Sequence, residues 1–276
     1  MDDFSKIWRA FFAIAIMGIA VQQFMFADMM AVIMPPHYPA WLTPRLLWTS
    51  VTSIGLIAVS ICILFGFKGR LTSLLLALVL LLFVLIFQVP GTQYPAHIGS
   101  WINPFKEFAL AGGALVIAGS LPEDDTMPDF FKLLEKAIPF GKYMLAITLS
   151  TFGSTHFIYR DFCASLVPNW IPFHYFWSDF AGVALIAGGL GIILGVLGRQ
   201  LLFFNNLSKL AARLVGIMIF LWFIMLHVPR AIADPHTGNG NEWTSVFEAL
   251  AFSGIAFLIA RKQQPVSSYS FKKEAA

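Results

Sequence analysis

The chain has 276 residues, of which 58% are hydrophobic and only 12% charged, and its formal net charge is +3. An ordinary soluble domain has about 45 to 50% apolar and about 25% charged residues, so a water-soluble fold has nowhere to place this much apolar surface. The small net charge, scattered over loops, argues against nucleic acid as a partner.

The bilayer is therefore the expected solvent. Helices are the expected spanning elements, because each backbone polar group must be satisfied within its own segment. Crossing a hydrocarbon layer of about 30 Å takes about 20 apolar residues. In chain order, spans are expected at 7 to 26, 46 to 67, 71 to 89, 105 to 119, 142 to 158, 177 to 197, 210 to 228 and 245 to 260. Lys6 and Arg9 precede the first span, but no small-residue cleavage site follows it, and Asp28 stands where a membrane exit would lie. It reads as an insertion signal and not as a removed leader. The fourth and eighth spans are short and begin beside Glu107 and Glu248. Turn residues punctuate the gaps: Pro35-Pro36, Pro90-Gly91, Pro122, and the loop from Asp234 to Asn241.

Lys and Arg favour cytoplasmic loops. With the amino terminus inside, 14 of the 18 basic residues fall on the inner side, and only Arg45, Lys106, Arg160 and Arg230 fall outside. Both termini are then cytoplasmic, and a multi-pass protein of a bacterial-type inner membrane is expected. Residues 121–141 become a cytoplasmic linker with an amphipathic helical piece around Phe130 to Ala137, and residues 263–276 a cytoplasmic tail. The two cysteines, Cys62 and Cys163, fall near opposite faces, which excludes a disulfide between them.

An internal repeat fixes the architecture. Gln23-Phe24-Met25-Phe26-Ala27-Asp28 aligns with His156-Phe157-Ile158-Tyr159-Arg160-Asp161, Pro35 with Pro168, and Pro39 with Pro172. Further on, Val89-Pro90 aligns with Val228-Pro229, His97 with His236, and Glu107 with Glu248. The expected fold is an all-α membrane protein of eight transmembrane helices, built as two tandem four-helix units, residues 1–120 and 142–262. An even unit inserts twice in the same sense, which gives a parallel repeat about an axis along the membrane normal. The first copy has Gln23, Gln88 and Gly91 where the second has His156, His227 and Arg230. Chemistry is therefore expected in the second copy, with the first as scaffold or degenerate site.

The run Gly153-Ser154-Thr155-His156-Phe157, then Val167-Pro168-Asn169-Trp170-Ile171-Pro172-Phe173-His174, Phe176-Trp177 and Phe180-Ala181-Gly182, resembles the DoxX-like membrane protein superfamily. So do Leu226-His227-Val228-Pro229-Arg230 and Asn241-Glu242-Trp243-Thr244. The resemblance covers essentially the whole second half, and the first half more weakly through the repeat. It implies a membrane subunit of a quinone-linked sulfur or thiol oxidoreductase system, such as a thiosulfate to quinone oxidoreductase. A redox partner protein or larger membrane complex is implied with it. The usual member is a single four-helix unit, and the duplication departs from that pattern.

All six histidines, His37, His97, His156, His174, His227 and His236, fall at outer loops or outer helix ends in this topology. Ionisable groups at membrane depth are candidates for function, and imidazole titrates near working pH. Three readings of this face stay open. In the first, the outer ends of the spans hold a quinone head group. His156 and His227 then exchange hydrogen bonds with carbonyls, Asp161 and Glu248 relay protons, and Trp170 and Trp177 line the apolar wall. His174 and Arg230 complete the candidate set. In the second, some histidines hold a metal or haem, although no HxxxH or HExxH motif supports it. In the third, Trp, Tyr and His populate the interfacial belt, and Asp161 with Arg160, or Glu248 with Arg230, form ion pairs that tie loops to helix ends.

His227, ending the apolar run from Leu214 to Leu226, and Glu248, inside the start of a span, stand out. A charged form there costs about 2 to 3 kcal/mol on insertion scales, so each needs a partner or a cavity. No haem, flavin or iron-sulfur motif is present, and a partner would have to supply any redox centre. The expected function is a membrane subunit binding a quinone or similar lipid-soluble molecule at its outer face. The alternative is a non-enzymatic lipid or small-solute binder, or a membrane anchor for another complex.

Overall fold

A computed structural model describes residues 3–35, 42–92, 98–123, 126–197 and 202–261. The expectations placed on Pro36, His37, Pro39, Trp41, His97, Asp124, Asp125, Arg199, Lys262, Lys272, Lys273 and the tail lie outside the described residues. Among the described residues there are helices and turns and no strands. Eight helices dominate: α1 (Asp3–Phe26), α2 (Arg45–Phe65), α3 (Gly69–Phe83), α4 (Ile102–Gly119), α5 (Gly141–Ile158), α6 (His174–Leu197), α7 (Leu202–Trp222) and α8 (Thr237–Ile259). Two of them run on through a π turn: α3 through Val84–Gln88 into Val89–Gly91, and α7 through Phe223–His227 into Val228–Ala233.

The two π turns have one cause. Pro90 and Pro229 each follow a helix without offering a backbone N–H, and a proline ring crowds the carbonyl four residues back. Widening the preceding turn relieves both problems and lets the helix continue. Val89 N–H bonds to Val84 O and Val228 N–H to Phe223 O, so the two turns are built alike.

Among the described residues, six segments are long and apolar enough to cross a membrane: Phe4–Phe26, Arg45–Phe65, Gly69–Gly91, His174–Gly195, Asn206–Ala233 and Thr237–Ile259. α4 and α5 have 18 residues each and fall short of that standard, where the sequence reading expects eight spans. α4 carries Lys106 and Glu107 near its start, and α5 is diluted by Thr148, Ser150, Thr151, Ser154 and Thr155.

The side chains are distributed as a lipid solvent demands. On α2 the buried face is Thr49, Ser53, Leu56, Ser60 and Ile63, while Leu47, Val51, Ile54 and Ile61 are exposed. The hydroxyls close onto their own helix, Ser53 Oγ to Thr49 O at 2.7 Å and Ser60 Oγ to Leu56 O at 2.8 Å. Small residues turned inward let helices approach closely, and apolar ones turned outward cost nothing in lipid.

Each helix packs against the next in sequence, α8 closes the ring on α1, and α4 also packs on α8. α4 and α8 are therefore the inner helices. Every residue from Ala109 to Ala118 and from Ala251 to Ala256 is buried. Gly238, Asn239 and Gly240 take left-handed φ values of 59°, 56° and 74°, so the regular part of α8 begins only after Gly240. Glycine tolerates that region without a Cβ clash. The Gln22 amide of α1 donates to Gly240 O at 2.7 Å, and Thr244 Oγ1 donates to Gln22 Oε1 at 3.0 Å, which fixes the start of α8 on the end of α1.

In the linker, the expected amphipathic piece is a short helix, Asp129–Lys132, followed by a 3-10 stretch, Leu133–Phe140, that contains Pro139. Its Glu135 pairs with Arg70 of α3 at 2.5 Å. Cys62 and Cys163 are both free thiols.

Candidate functional site

The end of the bundle where α5 and α7 finish and α4 and α8 start holds a cavity of about 450 Å³. Its apolar walls include Leu149 and Phe152 of α5, Leu185 of α6, Ile219 and Trp222 of α7, and Phe252 of α8. Tyr159 and the short helix Arg160–Ser165, through Phe162 and Cys163, close one side. Against these walls stand a few polar groups: Lys106, His156, His227, Ser245 and Glu248. Sites of about 300 to 1,000 Å³ with apolar walls and few convergent polar groups are characteristic of small-molecule binding.

Local structure explains how the polar groups arrive there. His156 lies in the last turn of α5 beside Gly182 of α6, where a Cβ would come within 2.9 Å of the His156 Cβ. His156 Nδ1 is 3.3 Å from Ser178 Oγ, and its ring lies 6.2 Å from that of Trp222, tilted by 31°. His227 is the last residue of the α7 π turn. Glu248 projects from the buried α8 and pairs through Oε2 with Lys106 Nζ at 2.8 Å, the side chains being 5% and 16% exposed.

Two atoms of this wall are left without a hydrogen bond to any described residue: His227 Nδ1 and Glu248 Oε1. A buried polar atom left unsatisfied costs about 1 to 3 kcal/mol. Both belong to residues that line the cavity.

Of the eight residues singled out in the sequence, the cavity wall includes His156, His227 and Glu248. The other five stand outside it. Trp170 and Trp177 are 69% and 44% exposed on the outer surface, and His174 is half-buried at the start of α6. Asp161 is exposed and accepts a hydrogen bond from Tyr175 Oη at 3.1 Å. The ion pairs also differ from those expected. Arg160 binds Asp179 with two bonds of 3.0 and 2.6 Å, and Arg230 binds Glu242 with two bonds of 3.0 and 2.7 Å. The Asp179 carboxylate raises the Arg160 pKa above its ordinary value. Lys106, Tyr159, Cys163, Trp222 and Ser245 were not singled out, yet all reach the cavity. Lys106 carried a signal: a base immediately before Glu107 at the start of an apolar span needs a counter-charge.

The corresponding place in the first half is built differently. Gln23, aligned with His156, donates to Ser53 Oγ at 2.9 Å, and Gln88, aligned with His227, donates to Ala31 O at 2.9 Å. Met29, Met30, Val32, Ile33 and Met34 are each 5% exposed or less. Glu107, aligned with Glu248, is fully buried with no hydrogen bond to either carboxyl oxygen, and the Gln88 amide faces it. The aligned stretch of the second half does not fold inward in this way: Phe162 is 64% exposed, and only Ala164 of residues 162–167 is buried.

Among the described residues, no group of three or more His, Cys, Asp and Glu stands close enough to hold a metal ion. No protein-family model, curated protein or solved structure matches this chain.

Proposed function

We propose that the chain is a multi-pass inner-membrane protein of eight crossings, two tandem DoxX-like four-helix units in parallel repeat, that binds a quinone or similar lipid-soluble molecule in the outer cavity of its second unit. The observation that carries the reading is the pair of unsatisfied atoms, His227 Nδ1 and Glu248 Oε1, in an otherwise apolar pocket among membrane helices. A quinone-type head group fits this donor set. It is a flat apolar ring, suited to Trp222 and Phe252, with polar oxygens at its edge. His227 and His156 donate hydrogen bonds to carbonyl oxygens, and the Glu248 carboxylate, held by Lys106, accepts from a hydroxyl. The bound molecule supplies the redox chemistry. The chain's own groups orient it, keep water away and hold a proton at Glu248 or His227.

Support for eight crossings comes from the matched π turns at Val84–Gln88 and Phe223–His227 and from the ring of helices, in which the fourth helix of each unit packs on the first helix of the other. α4 and α5, enclosed by more apolar neighbours, need less hydropathy of their own to lie at membrane depth. The distribution of Lys and Arg puts both termini in the cytoplasm. A thiol- or sulfur-linked oxidoreductase subunit is the partner this reading calls for.

The test is extraction of lipids from the purified protein together with titration of a fully ring-substituted decyl quinone. Co-purified quinone and a raised unfolding temperature are expected. A quinone-free preparation whose stability is indifferent to the added compound would remove the proposal.

A further inference from the structure

We infer that Glu107 of α4 is a proton-binding site inside the first half of the chain, its carboxyl held as the neutral acid. Glu107 is 0% exposed, and neither Oε1 nor Oε2 has a hydrogen-bond partner among the described residues. Glu248, its counterpart in the repeat, is nearly as deeply buried, but there Oε2 meets Lys106 Nζ at 2.8 Å. A carboxylate taken out of water needs a cation or several donors, and without them it takes up a proton instead.

The charged and titratable groups on the elements packed against α4 are bound to other residues or stand at other levels of the bundle. Lys106 adjoins Glu107 in sequence, but successive residues on a helix point about 100° apart, and it is paired with Glu248. Glu242 of α8 binds Arg230. His156 of α5 lies against Ser178. Lys142 and Tyr143 begin α5 at the level of Gly112, which meets Gly141 and Met144 more than a turn beyond Glu107. Arg70 of α3 pairs with Glu135 and donates to Leu121 O, and the linker stretch with Lys136 lies at that same end of α4. Asp28, in the segment that Gln88 holds, accepts from Met29 N–H and Asn239.

What does face Glu107 suits the acid. The Gln88 amide, which donates to Ala31 O at 2.9 Å, is turned toward the carboxyl. A carboxamide offers a donor and an acceptor, and so does a protonated carboxyl, whereas a carboxylate can only accept. The first copy also has the neutral amides Gln23 and Gln88 where the second has His156 and His227. A protonated Glu107 leaves this polar interior without charge throughout. A proton is likewise the cation that fits. Hard metal ions take about six oxygen ligands, and among the described residues no group of three or more His, Cys, Asp and Glu converges.

The experiment records infrared difference spectra of the full chain in neutral detergent, in H2O and in D2O, at neutral and mildly alkaline pH. The wild type is expected to show the carbonyl band of a protonated carboxyl at both pH values, shifted to lower frequency in D2O. Glu107→Gln should remove that band and unfold at the wild-type temperature, because the amide is isosteric with the neutral acid. Glu248→Gln should keep the band. Should Glu107→Gln fail to fold, Glu107→Asp, which keeps the acid on a shorter stem, is expected to shift the band. The proposal is overturned if Glu107→Gln removes a carboxylate band and leaves the protonated one in place. It is also overturned if sodium chloride, compared with choline chloride, stabilises the wild type but not Glu107→Gln, which would mark a metal-cation site. Titration of Glu107→Gln with the decyl quinone should match the wild type, so failure here and failure of the outer-cavity reading are distinguishable.

Discussion

Lys106 Nζ and Glu248 Oε2 lie 2.8 Å apart, although one residue stands near the start of α4 and the other on α8, 142 positions later in the chain. The cavity is thus completed by a side chain from the first half of the sequence. Removing one partner of a buried ion pair costs about 3 to 5 kcal/mol, because the other charge is stranded. Lys106→Met should therefore destabilise the protein by about that amount, and the double variant Lys106→Met/Glu248→Gln should recover most of it. Denaturant unfolding in detergent measures both.

His156→Ala and His227→Ala should each weaken binding of the decyl quinone by about fivefold, the worth of one hydrogen bond at about 1 kcal/mol. Quenching of Trp222, whose ring lies 6.2 Å from that of His156, supplies the readout. Equal affinity in both variants would separate the imidazoles from the ligand.

The buried stretch around Met34 and the more exposed stretch around Val167 should respond differently to truncation. Met34 is 1% exposed, and Met34→Ala should cost about 2 to 5 kcal/mol. Val167, its half-buried counterpart, should cost less than about 1 kcal/mol on change to Ala. The same unfolding measurement applied to both variants tests the contrast.

Cys163 offers a probe of occupancy. Burial pushes its thiol pKa up, and the thiolate is the reactive form. On a Cys62→Ser background, maleimide labelling at pH 8 should be slower than that of a free small thiol and should accelerate as pH rises. Since Cys163 lines the cavity, the decyl quinone should slow it further.

The surface pair Arg160–Asp179, 53% and 32% exposed, is of another kind. Arg160→Ala should leave the unfolding midpoint nearly unchanged, and any change should shrink as salt is added. Unfolding at two ionic strengths checks it.

His227 and Glu248 were legible in the sequence because a titratable side chain inside an apolar run has no inexpensive surroundings except a partner or a cavity. Lys106 was harder to read, since its counter-charge comes from a helix that only tertiary packing brings near. Trp177 shows the limit set by helix phase. It adjoins Ser178, which reaches His156, but successive residues on a helix point about 100° apart, so the indole faces outward. Arg160 could not pair with Asp161, because neighbours one residue apart do not face each other on a helix, and it reaches across to Asp179. For Arg230 the sequence offered two acids on α8, and it could not tell Glu242 from Glu248 without the start of that helix. The aligned Val-Pro pairs were visible, whereas the π turns before them were not, because apolar periodicity carries no mark of a widened turn.

The methionine-rich stretch from Met29 to Met34 has a consequence for how the protein saturates. Two equivalent berths would carry the chance of one occupant influencing the next. Here the residues aligned with the edge of the cavity are buried side chains, so titration should level off at a single equivalent per chain, along a simple hyperbola with a Hill coefficient of about 1.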